Sequence, residues 1–174
     1  MLKLRKNKKG FTLVELIVVI AIMAVLAGVV AGVTVSQLNK QTDKTNLSQA
    51  KGIADFVAGE IADITNDSVY EDGELNADKI KDVILTQYAS VNFKKTTTTT
   101  GTGESATTTT TIDDEPESKG QFAVRVNTTT IGEDATAKTQ VTSIDILYKN
   151  KVGGDIKGYS VSTEGVITNY PATT

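Results

Sequence analysis

The sequence predicts an α+β chain: a long N-terminal helix, apolar in its first half and amphipathic in its second, packed against an antiparallel sheet of about four strands. Three observations carry this prediction. An uncharged apolar run extends from Leu16 to Val35. Apolar residues at helical spacing follow between Leu47 and Ile64, and apolar alternation at period two begins after Gln121.

The first run holds 20 residues. At about 1.5 Å of rise per residue it makes a helix ~30 Å long, enough to cross the hydrocarbon of a bilayer. Lys3, Arg5, Lys6, Lys8 and Lys9 precede it, and cations flanking a membrane helix stay on the cytoplasmic side, so the C-terminal part is expected outside. Within the run, Ala24, Gly28 and Gly32 fall four apart and share one helical face. Close helix packing and the ordinary small-residue content of membrane helices both account for that spacing. Glycine weakens a helix by about 1 kcal/mol relative to alanine, so a local loosening at Gly28–Gly32 is an expectation to be tested.

From Ser36 the polarity rises while the helical period persists through Leu47, Ala50, Ile53, Ala54, Val57, Ile61 and Ile64, which predicts helix to about Thr65. Asn66-Asp67-Ser68 and Glu71-Asp72-Gly73 end it. Asn76 is placed to cap a second helix over Ala77–Ala89, with Asp78 in its first turn and Ile80, Val83, Ile84 and Tyr88 as its apolar stripe. Residues 95–119 contain Thr96–Thr100 and Thr107–Thr111 and little that is apolar. They are expected mostly as an exposed loop, with a short hairpin across Gly101–Gly103 as the alternative. Strands are expected near 121–129, 141–149, 156–162 and 166–170, the last two joined by a turn at Ser162–Gly165.

Composition excludes much chemistry. The chain has no histidine, cysteine or tryptophan, which removes Ser-His-Asp and Cys-His catalysis, thiolate metal sites and disulfides. Its glycines form no phosphate-binding pattern, so no enzyme activity and no cofactor are expected. Asp113, Asp114, Glu115 and Glu117 offer oxygens that suit calcium, but without EF-hand spacing they read as a solvated acidic turn. Five of the 18 cations lie in the first ten residues, and the remainder of the chain carries a net charge of −8. Nucleic acid is therefore not expected as a partner, and Lys94-Lys95, Lys149, Lys151 and Lys157 read as solvated lysines rather than a basic patch.

At Lys9-Gly10-Phe11-Thr12-Leu13, with Glu15 just inside the apolar run, the sequence resembles type IV pilin precursors and their pseudopilin relatives. The resemblance covers about the first third of the chain. It implies a leader over residues 1–10, a transmembrane and filament-core helix over 11–35, and an amphipathic helix half with a globular head over 36–174. It implies cleavage by a prepilin peptidase between Gly10 and Phe11, N-methylation of Phe11, and docking of one subunit on the next through Glu15. It further implies as partners an assembly platform protein, an ATPase, the membrane and other copies of the chain in a filament at the cell surface, in whose core the face read above at Ala24, Gly28 and Gly32 would serve helix packing. Alternatives are a minor pilin or secretion-type pseudopilin, a membrane-tethered binding domain that never polymerises, and a secretory signal peptide cut after Val25-Leu26-Ala27. The last is disfavoured by the length of the run and by Glu15. Many relatives close a C-terminal loop with a disulfide, which this cysteine-free chain lacks, so how its C-terminal region is held is left open. Residues Asn169–Thr174 show no sorting motif or apolar tail, so a sortase-linked subunit is not expected.

Overall fold

A computed structural model describes residues 10–100, 107–132 and 137–171. The elements run α1 (Leu13–Ile61), β1 (Tyr70–Glu71), β2 (Glu74–Leu75), α2 (Ala77–Gln87), β3 (Lys95–Thr100), β4 (Thr107–Ile112), β5 (Phe122–Ile131), β6 (Lys138–Lys149), β7 (Ile156–Ser162) and β8 (Ile167–Tyr170). The chain divides into two units, one ending at Asn39 and one running Lys40–Thr174. In the first, α1 exposes its large apolar residues from Leu13 to Leu38.

In the second unit, the remainder of α1 contributes one face to the core. Ala50, Ile53, Ala54, Val57 and Ile61 are buried, at the three-to-four spacing the sequence predicts, and Leu47 packs beside them. The helix stops at Ile61, short of Thr65, and Ile64 is exposed rather than part of the stripe. The Asp63 carboxylate accepts from the Thr65 backbone N–H at 2.9 Å, and Asn66 Nδ2 donates back to the Glu60 carbonyl at 3.1 Å, so local side chains supply an alternative to continued helix.

β5, β6, β7 and β8 form an antiparallel meander in chain order. Phe122, Val124, Ile144, Ile146, Tyr148 and Val161 bury their side chains in the same core as α1, so alternation at period two sets the sheet's inner face. Ala123, Asp145 and Leu147 alternate with them and are buried as well, which means the opposite face of β5 and β6 is also covered at these positions. At Gly158 an added Cβ would lie 1.8 Å from the Ile146 carbonyl oxygen, so β6 and β7 approach too closely there for any side chain.

α2 begins as predicted: the Asn76 side chain accepts from the backbone N–H groups of Asp78 and Lys79, at 2.9 and 3.1 Å. It ends at Gln87 rather than Ala89, and buries Ile80 and Ile84. Tyr88 then ties it to α1, its hydroxyl donating to the Gly52 carbonyl at 3.1 Å and its ring meeting Phe56 edge-on at 5.6 Å between centroids. Asp72 and Gly73, both at positive φ, make the turn between β1 and β2.

The threonine-rich stretch departs from the expected loop. β3 and β4 pair antiparallel over six residues each, Lys95 with Ile112 through Thr100 with Thr107, so the hairpin alternative holds; its tip at Gly101–Gly103 lies outside the described residues. β-branched threonines favour extended backbone, and hydroxyls bridge the strands at Thr97–Thr110, 3.1 Å, and Thr99–Thr108, 3.3 Å. The expectation of exposure stands for β3, which is exposed throughout, but not for Ile112 and Pro116, which are buried.

The C-terminal region is fastened without a disulfide. The Asp43 carboxylate, on α1, accepts the backbone N–H of Lys151 at 2.7 Å and of Val152 at 2.9 Å, and Tyr148 Oη donates to the Asp43 carbonyl at 3.3 Å. On the last strand, Tyr170 Oη accepts from Arg125 Nη1 of β5 at 3.2 Å, with the guanidinium 6.0 Å from the centre of that ring.

Candidate processing and assembly segment

Gly10, Phe11 and Thr12 precede the first helical turn and adopt no regular structure. Phe11 is 92% exposed. Among the described residues, a Cβ added at Gly10 would meet nothing within 4 Å.

The helix that follows is capped by its own sequence. Thr12 Oγ1 accepts the Glu15 backbone N–H at 3.2 Å, and Glu15 Oε2 accepts the Thr12 backbone N–H at 2.8 Å and the Thr12 hydroxyl at 2.9 Å. This is a reciprocal capping box, in which two donors at the start of the helix are satisfied by side chains three residues apart. The resemblance gives Glu15 a docking role alone and Thr12 none, although Thr-x-x-Glu ahead of an apolar run is the spacing that encodes such a cap. Both bonds at Glu15 use Oε2, and among the described residues Oε1 accepts no hydrogen bond.

Ala24, Gly28 and Gly32 lie on α1 and are exposed, and a Cβ added at either glycine would meet nothing within 4 Å. Among the described residues, nothing beyond the helix itself crowds the two glycines, which leaves this face open to packing against another helix. The helix runs unbroken through Gly28–Gly32, against the expected loosening. Thr34 Oγ1 donates to the Val30 carbonyl at 2.8 Å, and the intact i to i−4 ladder outweighs the glycines' low propensity.

The other candidates for ligand chemistry are occupied by partners within the chain. Lys94 pairs with Asp113 at 3.1 Å and with Glu117 at 2.8 Å, Lys81 pairs with Asp114 at 2.5 Å, and Arg125 pairs with Glu115. Each acid of the 113–117 turn therefore has a cation beside it, which disfavours calcium. The same contacts strap the turn across the head. The Thr96 hydroxyl, followed by Lys94, holds the Asp113 carboxyl below the usual carboxylate range, and Glu117 and then Asp113 hold the Lys94 ammonium above its own. Lys149 Nζ donates to the Glu117 carbonyl at 3.1 Å, so Lys94 and Lys149 are engaged internally rather than presented as a basic patch.

Residues 5–31 match the family described as the prokaryotic N-terminal methylation motif. No curated protein and no solved structure matches the chain. The motif implies processing by a prepilin peptidase and handling by pilus assembly machinery in general, and with the apolar helix it points to a membrane-anchored precursor. Proteins bearing it are structural rather than catalytic. The motif, with an α+β fold consistent with the pilin type, supports a precursor of the type IV pilin or pseudopilin type.

Proposed function

We propose that this chain is a structural subunit of a type IV pilus-like filament, cut between Gly10 and Phe11, methylated at the new Phe11 amine, and assembled through the first half of α1. The observation that carries the reading is the surface of that half. Directly after the matched motif begins, Leu13, Leu16, Ile20, Leu26, Val30 and Val35 are each more than half exposed. So much apolar surface requires cover, first by lipid and then by the helices of neighbouring subunits. In this scheme the cationic leader holds the N-terminus in the cytoplasm and the head faces outward. A platform protein and an ATPase then lift the subunit into a filament at the cell surface.

Glu15 would have two tasks. Oε2 closes the cap on Thr12, which lies downstream of the cut and so survives processing, while the remaining charge attracts the cationic amine of a neighbour in a low-dielectric core. The two tasks separate by substitution. Glu15→Gln keeps a capping-box side chain and loses the charge, whereas Thr12→Ala keeps the charge and weakens the cap by about 1 kcal/mol. Assembly in Glu15→Gln is expected to fall far below that in Thr12→Ala, with cleavage intact in both, as read by imaging sheared surface material and blotting membranes. Equal assembly in the two would remove the docking role.

The reading as a whole is tested by the mass and N-terminal sequence of the mature protein. An N-methylated Phe11 start is expected, and Gly10→Asp should block processing. A start near Gly28, or a retained Met1, would overturn the scheme.

A further inference from the structure

We infer that the free edge of β3 is a pairing surface for the same edge of a second copy of this chain. Three observations place it there. First, the hydrogen-bond parity of the hairpin is set at its base, where the Asp113 N–H donates to the Lys94 carbonyl at 3.0 Å. In an antiparallel ladder bonded and non-bonded pairs alternate. The bonded pairs are therefore Thr96–Thr111, Thr98–Thr109 and Thr100–Thr107, and the close hydroxyl contacts at Thr97–Thr110 and Thr99–Thr108 fall, as they should, on the non-bonded ones. Consequently the backbone N–H and C=O groups of Lys95, Thr97 and Thr99 point away from β4. Among the described residues no strand pairs with that side of β3.

Second, the edge lacks the usual protections. It has no proline or bulge, and its single charge is Lys95, at the base. Third, the chain beyond residue 10 carries a net charge of −8, so two heads repel wherever charged surfaces meet. Thr96–Thr100 and Thr107–Thr111 are uncharged and exposed or half-exposed, and offer a neutral line of approach. The hairpin is anchored at its base, by Ile112 and the bonds to β5; beyond it two strands alone are marginal in water, and joining two copies gives a four-stranded sheet.

Pairing about a two-fold axis at Thr98 sets Thr97 opposite Thr99 of the other copy, and an axis at Thr97 sets Thr97 opposite itself; identical threonine side chains admit both registers. An edge this short buries far less than the roughly 1,600 Å² of a standard interface. The contact is therefore expected between copies concentrated on one membrane and not in dilute detergent.

The absence of cysteine makes a clean test. Full-length Thr97→Cys and Thr98→Cys variants, oxidised in intact membranes, are expected to give disulfide dimers, since the facing Cα atoms lie about 4.5–5.5 Å apart in the two registers, within disulfide range. Glu164→Cys, exposed on the β7–β8 turn, reports random collision. Adding Thr97→Pro and Thr99→Pro to Thr98→Cys removes two outward donors and no hairpin bond, and should lower the dimer yield by about tenfold, ~1.4 kcal/mol. Thr97→Lys with Thr99→Lys, which leaves the backbone untouched, should do the same by repulsion. Dimer yields at Thr97 and Thr98 no higher than at Glu164, or yields unchanged by both the proline and the lysine pairs, would overturn the inference. Because the readout is a membrane-bound dimer, it succeeds or fails independently of whether the chain forms filaments.

Discussion

Between Leu13 and Leu38, α1 leaves its large apolar side chains exposed, whereas between Asn46 and Ile61 it buries a single stripe and turns polar residues outward. The backbone is helical throughout, so the contrast lies in the side chains. A helix that is apolar all round has no preferred inner face, and its burial is supplied by an environment outside the chain. One with an apolar stripe finds its partner in its own head. One half is thus committed during folding, and the other would, under the proposed function, be covered by membrane or by neighbouring subunits.

Substitutions sharpen this contrast when each disturbs one half alone. The largest effect is expected at Ile53, fully buried against the sheet: Ile53→Ala should destabilise the head by about 2–5 kcal/mol while leaving membrane retention unchanged, as read by thermal melting of the detergent-solubilised chain beside membrane fractionation. The converse is Val25→Asp, which places a charge near the middle of the apolar half at ~2.5–3.5 kcal/mol for insertion. It should reduce membrane retention and leave the head's melting where it was. A head that melts lower in Val25→Asp would show that the halves are not independent. Smaller is Asp43→Ala, which strips the acceptor from the Lys151 and Val152 N–H groups and should cost about 1–2 kcal/mol. Limited proteolysis should then cut first at the β6–β7 turn.

The smallest expected effect is on pH dependence, and it too belongs to the head. Asp113 is held below the usual carboxylate range by the Thr96 hydroxyl and by Lys94. Its contribution is present above that range and lost as pH falls through the lowered value. Lys94 is held up by Glu117 and Asp113, and burial pushes Tyr148 up to about 12. Lys94 contributes below its ordinary value and loses that contribution as pH rises through the raised one. Tyr148 is buried as the neutral phenol, so above its ordinary value the unfolded chain ionises first and stability falls until pH passes the raised value. The melting temperature of the head should therefore be level in between, declining below about pH 4 and above about pH 10. Asp113→Asn should reduce the acid slope and Tyr148→Phe the alkaline one, with Lys94 and Tyr88 carrying the rest of the alkaline side; slopes unchanged by both substitutions would assign them to other groups.

Much of this architecture is legible as periodicity. The Ala50 to Ile61 stripe, the Asn76 cap and the strand that includes Ile144, Ile146 and Tyr148 each declare themselves within a dozen residues, because the pattern reports a face that must be buried. Threonine runs carry no such pattern, since a residue that is neither apolar nor charged marks no face. The hairpin of β3 and β4 rests on backbone preference and on its anchorage at Phe93, Ile112 and Phe122, which is a tertiary fact. Asp43 is equally unreadable, because its partners are more than 100 residues away in the chain. At the N-terminal segment the reverse holds. Gly10, Phe11 and Glu15 stand out in the sequence, yet apart from the cap the fold adds little there, since their proposed partners are other molecules.

The tie between Asp43 and the β6–β7 turn bears on where the head can mature. A covalent cross-link would need an oxidant, and often an isomerase, before the C-terminal strands were secured. Two hydrogen bonds to a carboxylate need neither, and they form and re-form with the fold itself. The head should consequently reach the same structure in reducing and oxidising surroundings. Thiol reagents should have no purchase on it, and a cell displaying it on the surface would require no disulfide-forming enzymes for the purpose.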